Sequence, residues 1–394
     1  MENLEQSIRI GISGSYGGLN LGDEAILQSM IYQIRGTLSA QITVFTRNAE
    51  DTKMRHDADR VVEIRSLAKE EAARQIEQLD VFVLGGGGIL FDGEVENFLR
   101  EVVLAQELNI PTMIYAVSAG PLDRPSSRKL VRETLSKASC ITVRDRQGKQ
   151  LLEEIGVEGE IIITADPALL LKGDVLPIDT LKREGLEMLQ PLVGFSVREP
   201  GLAAPDIDAA HYHNVIANSA DFMVRRFGAH IVFVPMERRV MDMQQSHAVV
   251  AKMHCAQYAH VLKGEYSPSQ LISLFGHFEF AVGMRLHFLI LASLASVPFV
   301  PLPYASKVRG FIEQMGLEMP PLNDVNAGEL IAHIDQAWDL RKNLRAHVQK
   351  KLPDIQQRAG QTHQVLVDLI RRSARENAER QFTAPLASSS TSSN

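Results

Sequence analysis

The chain is predicted to be α/β, with two Rossmann-like domains built on parallel sheets. Three observations carry this. Short apolar runs rich in β-branched residues alternate with amphipathic helical patterns through the first half of the sequence, which is how a parallel sheet is covered on both faces. The same plan begins again near residue 191. A length of 394 residues, 45% of them hydrophobic and 23% charged, exceeds one ordinary core and suits two globular ones.

In chain order, strands are expected at Ile8 to Ser13, Gln41 to Phe45, Asp80 to Leu84, Thr112 to Val117, Cys140 to Val143 and Ile161 to Thr164. Helical spacing of Ile26, Leu27, Met30, Ile31 and Ile34 predicts a helix over Glu24 to Arg35, and Glu94 to Leu108 reads likewise. These make an N-terminal domain over residues 1–172. Gly173, Pro177 and a polar stretch mark a linker over 173–190. A C-terminal domain over 191–325 follows, with strands at Leu192 to Val197, His230 to Val234, His260 to Leu262, Phe278 to Val282 and Pro298 to Leu302. Residues 326–380 read as charged helices packing back across the domains. The Ser/Thr-rich end, 381–394, has almost nothing to bury and is expected to be disordered.

Two strand-to-helix turns in the first half are glycine-rich, Gly11 to Glu24 and Gly85-Gly-Gly-Gly-Ile-Leu-Phe-Asp92. Glycine there lets backbone approach a ligand or a neighbouring loop, at the strand ends where open α/β sheets bind ligands. Neither turn is a dinucleotide fingerprint, because glycines at 11, 14 and 17 are wrongly spaced and no acid closes the second strand. Gly17 and Gly22 have P-loop spacing, but Asp23 and Glu24 stand where Lys and Ser/Thr must neutralise phosphate. Asp23 suits a helix cap instead. Neither His211 and His213 nor the group His247, His254 and Cys255 completes a metal-ligand set, so no metal is expected.

The segment Val282 to Phe288, followed by Lys307, gathers three cation-capable side chains around one apolar run. A strand to Gly283 and a helix over Leu286 to Ser296 would put Arg285 and His287 at a helix N-terminus, where free N–H groups and the dipole favour an anion. A second reading stays open, in which Arg285 pairs with a nearby carboxylate and His287 is half-buried and satisfied. The formal charge of −7 and pI near 6.0 argue against a nucleic-acid binder. Two separated cysteines, Cys140 and Cys255, give no disulfide framework. Met1 to Ser7 lacks the basic-then-apolar order of a signal peptide, so a cytoplasmic location is expected. The apolar run Phe288 to Ala305 is broken by Ser293, Ser296, Pro298, Pro301 and Pro303, so no membrane span is expected.

Taken in order, Asn20-Leu-Gly-Asp-Glu-Ala-Ile26, Gly85 to Asp92, Ser118-Ala-Gly-Pro-Leu122, Ile141-Thr-Val-Arg-Asp145, Thr164-Ala-Asp-Pro-Ala-Leu169, Arg285-Leu-His287 and Tyr304-x-x-Lys307 resemble the polysaccharide pyruvyl transferase family from about residue 8 to residue 317. The resemblance implies a GT-B-like pair of domains around an interdomain cleft. It implies phosphoenolpyruvate as co-substrate with no other cofactor, and as acceptor a sugar of a lipid-linked or polymeric cell-surface glycan, joined as a pyruvyl ketal. Carried over residue by residue, it puts Arg144, Arg285 and Lys307 on the donor and His287 at the reacting centre. Asn20, Asp23, Gly86, Gly87 and Asp92 become candidate acceptor or loop contacts. Where the family often has a serine shortly after its Arg-Asp pair, this chain has Arg146-Gln147-Gly148. Two other readings share the sequence features: a GT-B nucleotide-sugar glycosyltransferase, and a non-catalytic scaffold. Peripheral association with a glycan-assembly complex is a further expectation.

Overall fold

The computed structural model describes residues 7–199, 208–237, 241–317, 319 and 326–383, with side chains as far as 375. A seven-stranded sheet comes first, made of β1 (Ile8–Ser13), β2 (Ala40–Phe45), β3 (Arg60–Val62), β4 (Val81–Leu90), β5 (Thr112–Ala119), β6 (Cys140–Val143) and β7 (Ile161–Ile163). Its order is β3-β2-β1-β4-β5-β6-β7, with every neighbouring pair parallel. The helices between these strands are α1 (Leu21–Thr37), α2 (Ala49–Arg55), α3 (Lys69–Ile76), α4 (Val95–Glu107), α5 (Pro125–Leu135) and α6 (Arg146–Glu154). A short helix, α7 (Thr180–Arg183), leads to a five-stranded sheet of β8 (Leu192–Ser196), β9 (His230–Phe233), β10 (Ala259–Val261), β11 (Phe278–Gly283) and β12 (Phe299–Pro301). That sheet runs β10-β9-β8-β11-β12 and is again parallel. With it go α8 (Ala209–Phe227), α9 (Met241–Val250), α10 (Pro268–Phe275), α11 (Leu286–Leu294) and α12 (Ser306–Gln314). The expected fold class is what the chain adopts.

In each sheet the strand order reverses once, between β1 and β4 and again between β8 and β11. Open α/β sheets bind ligands in the crevice that such a reversal opens at the strand C-terminal ends. Helix α1 brings the two crevices together. Its first residue, Leu21, donates its N–H to the Met236 carbonyl beyond β9 (2.8 Å), while Gln28 donates to Ser269 (3.1 Å) and Ser29 to the Pro167 carbonyl (2.6 Å). One apolar core runs from the α1 face of the first sheet into the second, and a separate one fills the opposite face of the first sheet.

The last two helices, α13 (Ala327–Asp339) and α14 (Arg341–Thr383), close the chain. Helix α14 starts against the second sheet, where Arg341 pairs with Glu279 (2.8 Å). It then crosses to the first, where Gln356 donates to the Leu169 carbonyl (2.9 Å) and Thr362 to Thr164 (2.7 Å). Of the tail expected over 381–394, only 381–383 are described, as the end of α14; residues 384–394 lie outside the described residues.

The second glycine-rich segment is a correction to the sequence reading. Gly85 to Leu90 continue β4 instead of turning into a helix, and Gly85, Gly87 and Gly88 pair with Tyr115, Val117 and Ser118 of β5. Side chains at Gly85 and Gly86 would run into Tyr16 and Ile26, so the glycines clear room for the β1–α1 turn and for α1 to lie on the strand. Strand β3, flanked by polar residues at the sheet edge, was not anticipated.

Gly22, in the first turn of α1, lies against the His287 ring, and an added Cβ would stand 2.6 Å from its Cγ. Gly36, near the other end of α1, is exposed and faces open space. Gly22→Ala is therefore expected to lower stability by about 1–3 kcal/mol and Gly36→Ala to raise it by about 0.5–1 kcal/mol, read as denaturant midpoints; equal shifts would contradict the close approach of α1 to α11. Glu101 of α4 is 1% exposed, and burial pushes its carboxyl up to about 7 against the pull of Arg65 and Arg100. The folded chain thus keeps this proton where the unfolded chain releases it, so stability declines as pH rises between the ordinary glutamate range and about 7. Glu101→Gln is expected to unfold with wild type near pH ~5 but to be more stable near pH ~8, by roughly 1–3 kcal/mol. Equal midpoints at both values would contradict a buried neutral carboxyl.

Candidate active site

A cavity of about 330 Å³ opens where the two crevices meet. From the first sheet's side it is lined by Ser15, Asn20, Asp23, Arg47, Gly88, Ile89, Phe91, Glu94, Phe98 and Arg144, and from the second by Arg198, Met236, Glu237, Arg285, Leu286, His287, Tyr304 and Lys307. Three helices, α1, α11 and α12, start at its wall, so their unpaired N–H groups and dipoles add positive potential to that of the side chains. The structure brings Arg144, Arg285, His287 and Lys307, distant in sequence, to this one cavity.

Each polar group has a traceable anchor. Arg144 leaves the end of β6 almost fully buried, with Nη1 on Asp166 Oδ2 at 2.6 Å, and its carbonyl accepts from Gln314 of α12 (3.2 Å). Asp166 also lies 3.4 Å from His287 Nε2 and caps the following turn by accepting from Ala168 N (3.0 Å). Burial acts to raise its pKa, but His287 and Arg144 outweigh that and hold the carboxyl well below the usual carboxylate range. One ionised carboxylate thereby joins an arginine of the first half to the histidine of the second.

Arg285 occupies the N-cap position of α11 without capping it. Its Nε and Nη2 form a fork on buried Asp242 (2.9 and 2.5 Å), and Nη2 also reaches Glu237 (2.7 Å). The reading in which Arg285 pairs with a nearby carboxylate is what the structure shows, and the residue lines the cavity as well. Among the described residues, Nη1 of Arg285 has no hydrogen-bond partner. Lys307 sits in the first turn of α12, half-buried, with no ion pair or hydrogen bond among the described residues. Although Tyr304 favours its charge, burial and the repulsion of Arg198, Arg144 and Arg285 move its pKa below the usual lysine value. An anion in the cavity would relieve that repulsion.

The remaining candidates divide. Asn20, not Asp23, caps α1 by accepting from Gly22 N (3.0 Å), because the helix begins three residues before the expected position. Asp23 falls in the first helical turn and looks into the cavity, its pKa raised chiefly by burial against the pull of His287 and Lys307. Gly87 has φ +94° and lies against Asp23, a conformation and a closeness that glycine permits. Gly86 packs on Ile26 away from the cavity wall. Asp92 is also off the wall; it accepts from the backbone N–H groups of Asp123 (2.6 Å) and Arg124 (3.0 Å), which orders the approach to α5.

Sequence reasoning missed Asp166 and Asp242 as the partners of the two arginines, and missed Arg198. Arg198 follows β8 as Arg144 follows β6, an arginine placed at the C-terminal end of a buried strand, and that repeated signal could have found it. Its Nη1 donates to the Tyr304 hydroxyl at 2.7 Å, and the guanidinium lies 4.9 Å from that ring's centroid. Among the described residues no group of three or more His, Cys, Asp or Glu side chains could hold a metal ion, and no helix is long and apolar enough to cross a membrane.

Comparison with solved structures finds the same architecture. A putative UDP-N-acetylglucosamine 2-epimerase from Listeria monocytogenes matches with a TM-score of 0.61 at 13% identity, over 92% of this chain and 95% of its own. A UDP-GlcNAc 2-epimerase from Neisseria meningitidis bound to UDP-GlcNAc matches at 0.62 and 9%, over 91% and 99%. A glycosyltransferase from Rickettsia africae matches at 0.62 and 10%, over 94% and 99%. These likenesses establish a GT-B-like fold and, at such identities, nothing further. No curated protein matches the sequence. The sequence profile of the family described as polysaccharide pyruvyl transferase matches residues 20–306. Because that match spans well over half of the 394 residues, the chain belongs to the polysaccharide pyruvyl transferase family.

Proposed function

We propose that the protein transfers pyruvate from phosphoenolpyruvate to a pair of sugar hydroxyls on a polysaccharide or its precursor, forming a ketal. The observation that carries this reading, beside the family, is the cavity in which Lys307 makes no ion pair among the described residues and which His287 also lines. Phosphoenolpyruvate brings a phosphate and a carboxylate on adjacent positions. Lys307, the free Nη1 edge of Arg285 and the outer edge of Arg144 receive them, the lysine as a point charge and the arginines as forks. The reaction needs no redox partner.

The chemistry balances with one acid at the methylene carbon. His287, paired with Asp166, gives its proton to that carbon as a sugar hydroxyl adds to the neighbouring one. Phosphate leaves against the cations, and the second hydroxyl closes the ketal. Of the two hydroxyl protons released, one replaces the proton taken up by the new methyl group and the other departs with phosphate.

Donor binding tests the reading first. Phosphoenolpyruvate is expected to raise the melting temperature and UDP to leave it unchanged; a shift with UDP alone favours a nucleotide-sugar enzyme, and a shift with neither favours a scaffold. Among variants, His287→Ala should lose most turnover while still binding phosphoenolpyruvate. Lys307→Ala should weaken that binding by about 1.5–3 kcal/mol. Arg285→Ala should also cost stability, on the order of 3–5 kcal/mol, because Asp242 is left buried and unpaired. Near-normal turnover by folded His287→Ala, measured in a single turnover, would contradict its role as the acid.

A further inference from the structure

Among the described residues Tyr304 is the one aromatic hydroxyl on the cavity wall, and neither the donor contacts nor the acid at the methylene carbon uses it. We propose that Tyr304 is a second catalytic residue, the base that takes the proton from the first attacking sugar hydroxyl and then hands it to the departing phosphate. This rests on the pyruvyl-transfer reading above.

The geometry makes its oxygen an acceptor with a free side. The Tyr304 hydroxyl accepts from Arg198 Nη1 at 2.7 Å, while the guanidinium carbon lies 4.9 Å from the ring centroid. Among the described residues the hydroxyl donates no hydrogen bond, so its own proton is left for a group in the cavity. The surroundings favour loss of that proton. Burial opposes ionisation, yet Lys307, Arg198 and Arg285 outweigh it and bring the phenol below the usual tyrosine value. The buried tyrosines Tyr16, Tyr115 and Tyr212 move the opposite way, chiefly through burial. The ionisable groups on the cavity wall are Lys307 on α12, Arg285 and His287 at the head of α11, Arg198 after β8, Arg144 after β6, Glu237 after β9, Asp23 in the first turn of α1, Arg47 after β2 and Glu94 before α4; the carboxylate of Asp23 interacts with Lys307 and His287, yet the cations prevail at the phenol.

Two proton carriers then complete one cycle. His287 protonates the methylene carbon, and the first hydroxyl forms its C–O bond as its proton passes to the Tyr304 phenolate. The phenol gives that proton to phosphate as the C–O bond to phosphate breaks. The second hydroxyl forms the last C–O bond, and its proton returns to His287. Both residues end as they began, and phosphate leaves protonated.

Two measurements on the full chain decide the matter. In the first, phenolate absorbance is followed as wild type, Tyr304→Phe and Arg198→Gln are titrated upward from neutral pH without substrate. Wild type is expected to show one tyrosine ionising before the rest; Tyr304→Phe should lack it, and Arg198→Gln should show it at higher pH. The same early phenolate in Tyr304→Phe would overturn the proposal. In the second, Tyr304→Phe should lose about 100-fold in turnover while phosphoenolpyruvate still raises its melting temperature as in wild type. Turnover within about threefold of wild type, or a loss matched by lost donor binding, would also overturn it. If phosphoenolpyruvate fails to shift wild type, the donor reading falls, whereas the titration still decides whether Tyr304 ionises early.

Discussion

The buried carboxylate of Asp166 is the joint on which the arrangement depends. It holds Arg144 from the first sheet, faces His287 from the second, and caps the turn whose carbonyls receive Ser29 of α1 and Gln356 of α14. A buried guanidinium needs an ionised partner, and water cannot do that work where Asp166 is 5% exposed. Breaking such a pair leaves an uncompensated buried charge. The position of His287 relative to Arg144 is therefore set before any ligand arrives, which is the preorganisation that a transition state rich in moving charge requires.

The cations around the cavity are not equivalent. Arg285 is stabilised by a fork on Asp242 and by Glu237, so much of its hydrogen-bonding capacity fixes the head of α11. Among the described residues Lys307 and Arg198 make no ion pair, and each acts on Tyr304. An anion bound here would relieve repulsion that folding has stored near the helix starts, and within the motif Arg285-Leu-His287 the arginine is the residue held by carboxylates.

Local patterns in the sequence made the strands legible, because buried parallel strands are written as apolar β-branched runs such as Ile161 to Ile163. They also put Arg285 and His287 at a helix start, since the boundary lies between a buried strand and a long apolar helix. Glycine misled the reading of β4, where Gly85, Gly86 and Gly87 serve packing against the β1–α1 turn and α1 while the strand stays paired with β5 on both sides of a register shift after Gly88. The pairings stayed hidden for a different reason. Arg144 finds Asp166 22 residues away, Arg285 finds Asp242 at 43, and Arg198 finds Tyr304 at 106. Such partners are chosen by topology, and a periodicity of two or 3.6 residues carries no record of them.

The central claim is that the methylene carbon of phosphoenolpyruvate becomes a methyl group in this cavity while one hydroxyl of a sugar adds to the neighbouring carbon and a second hydroxyl of the same sugar takes the place of phosphate. Running the reaction in deuterium oxide with a panel of lipid-linked and nucleotide-linked sugars, and weighing the product by mass spectrometry, tests it most directly. Acceptor-dependent phosphate release and a product whose pyruvyl methyl carries one deuterium are expected. Phosphate release without a ketal, or a ketal free of deuterium, would contradict it.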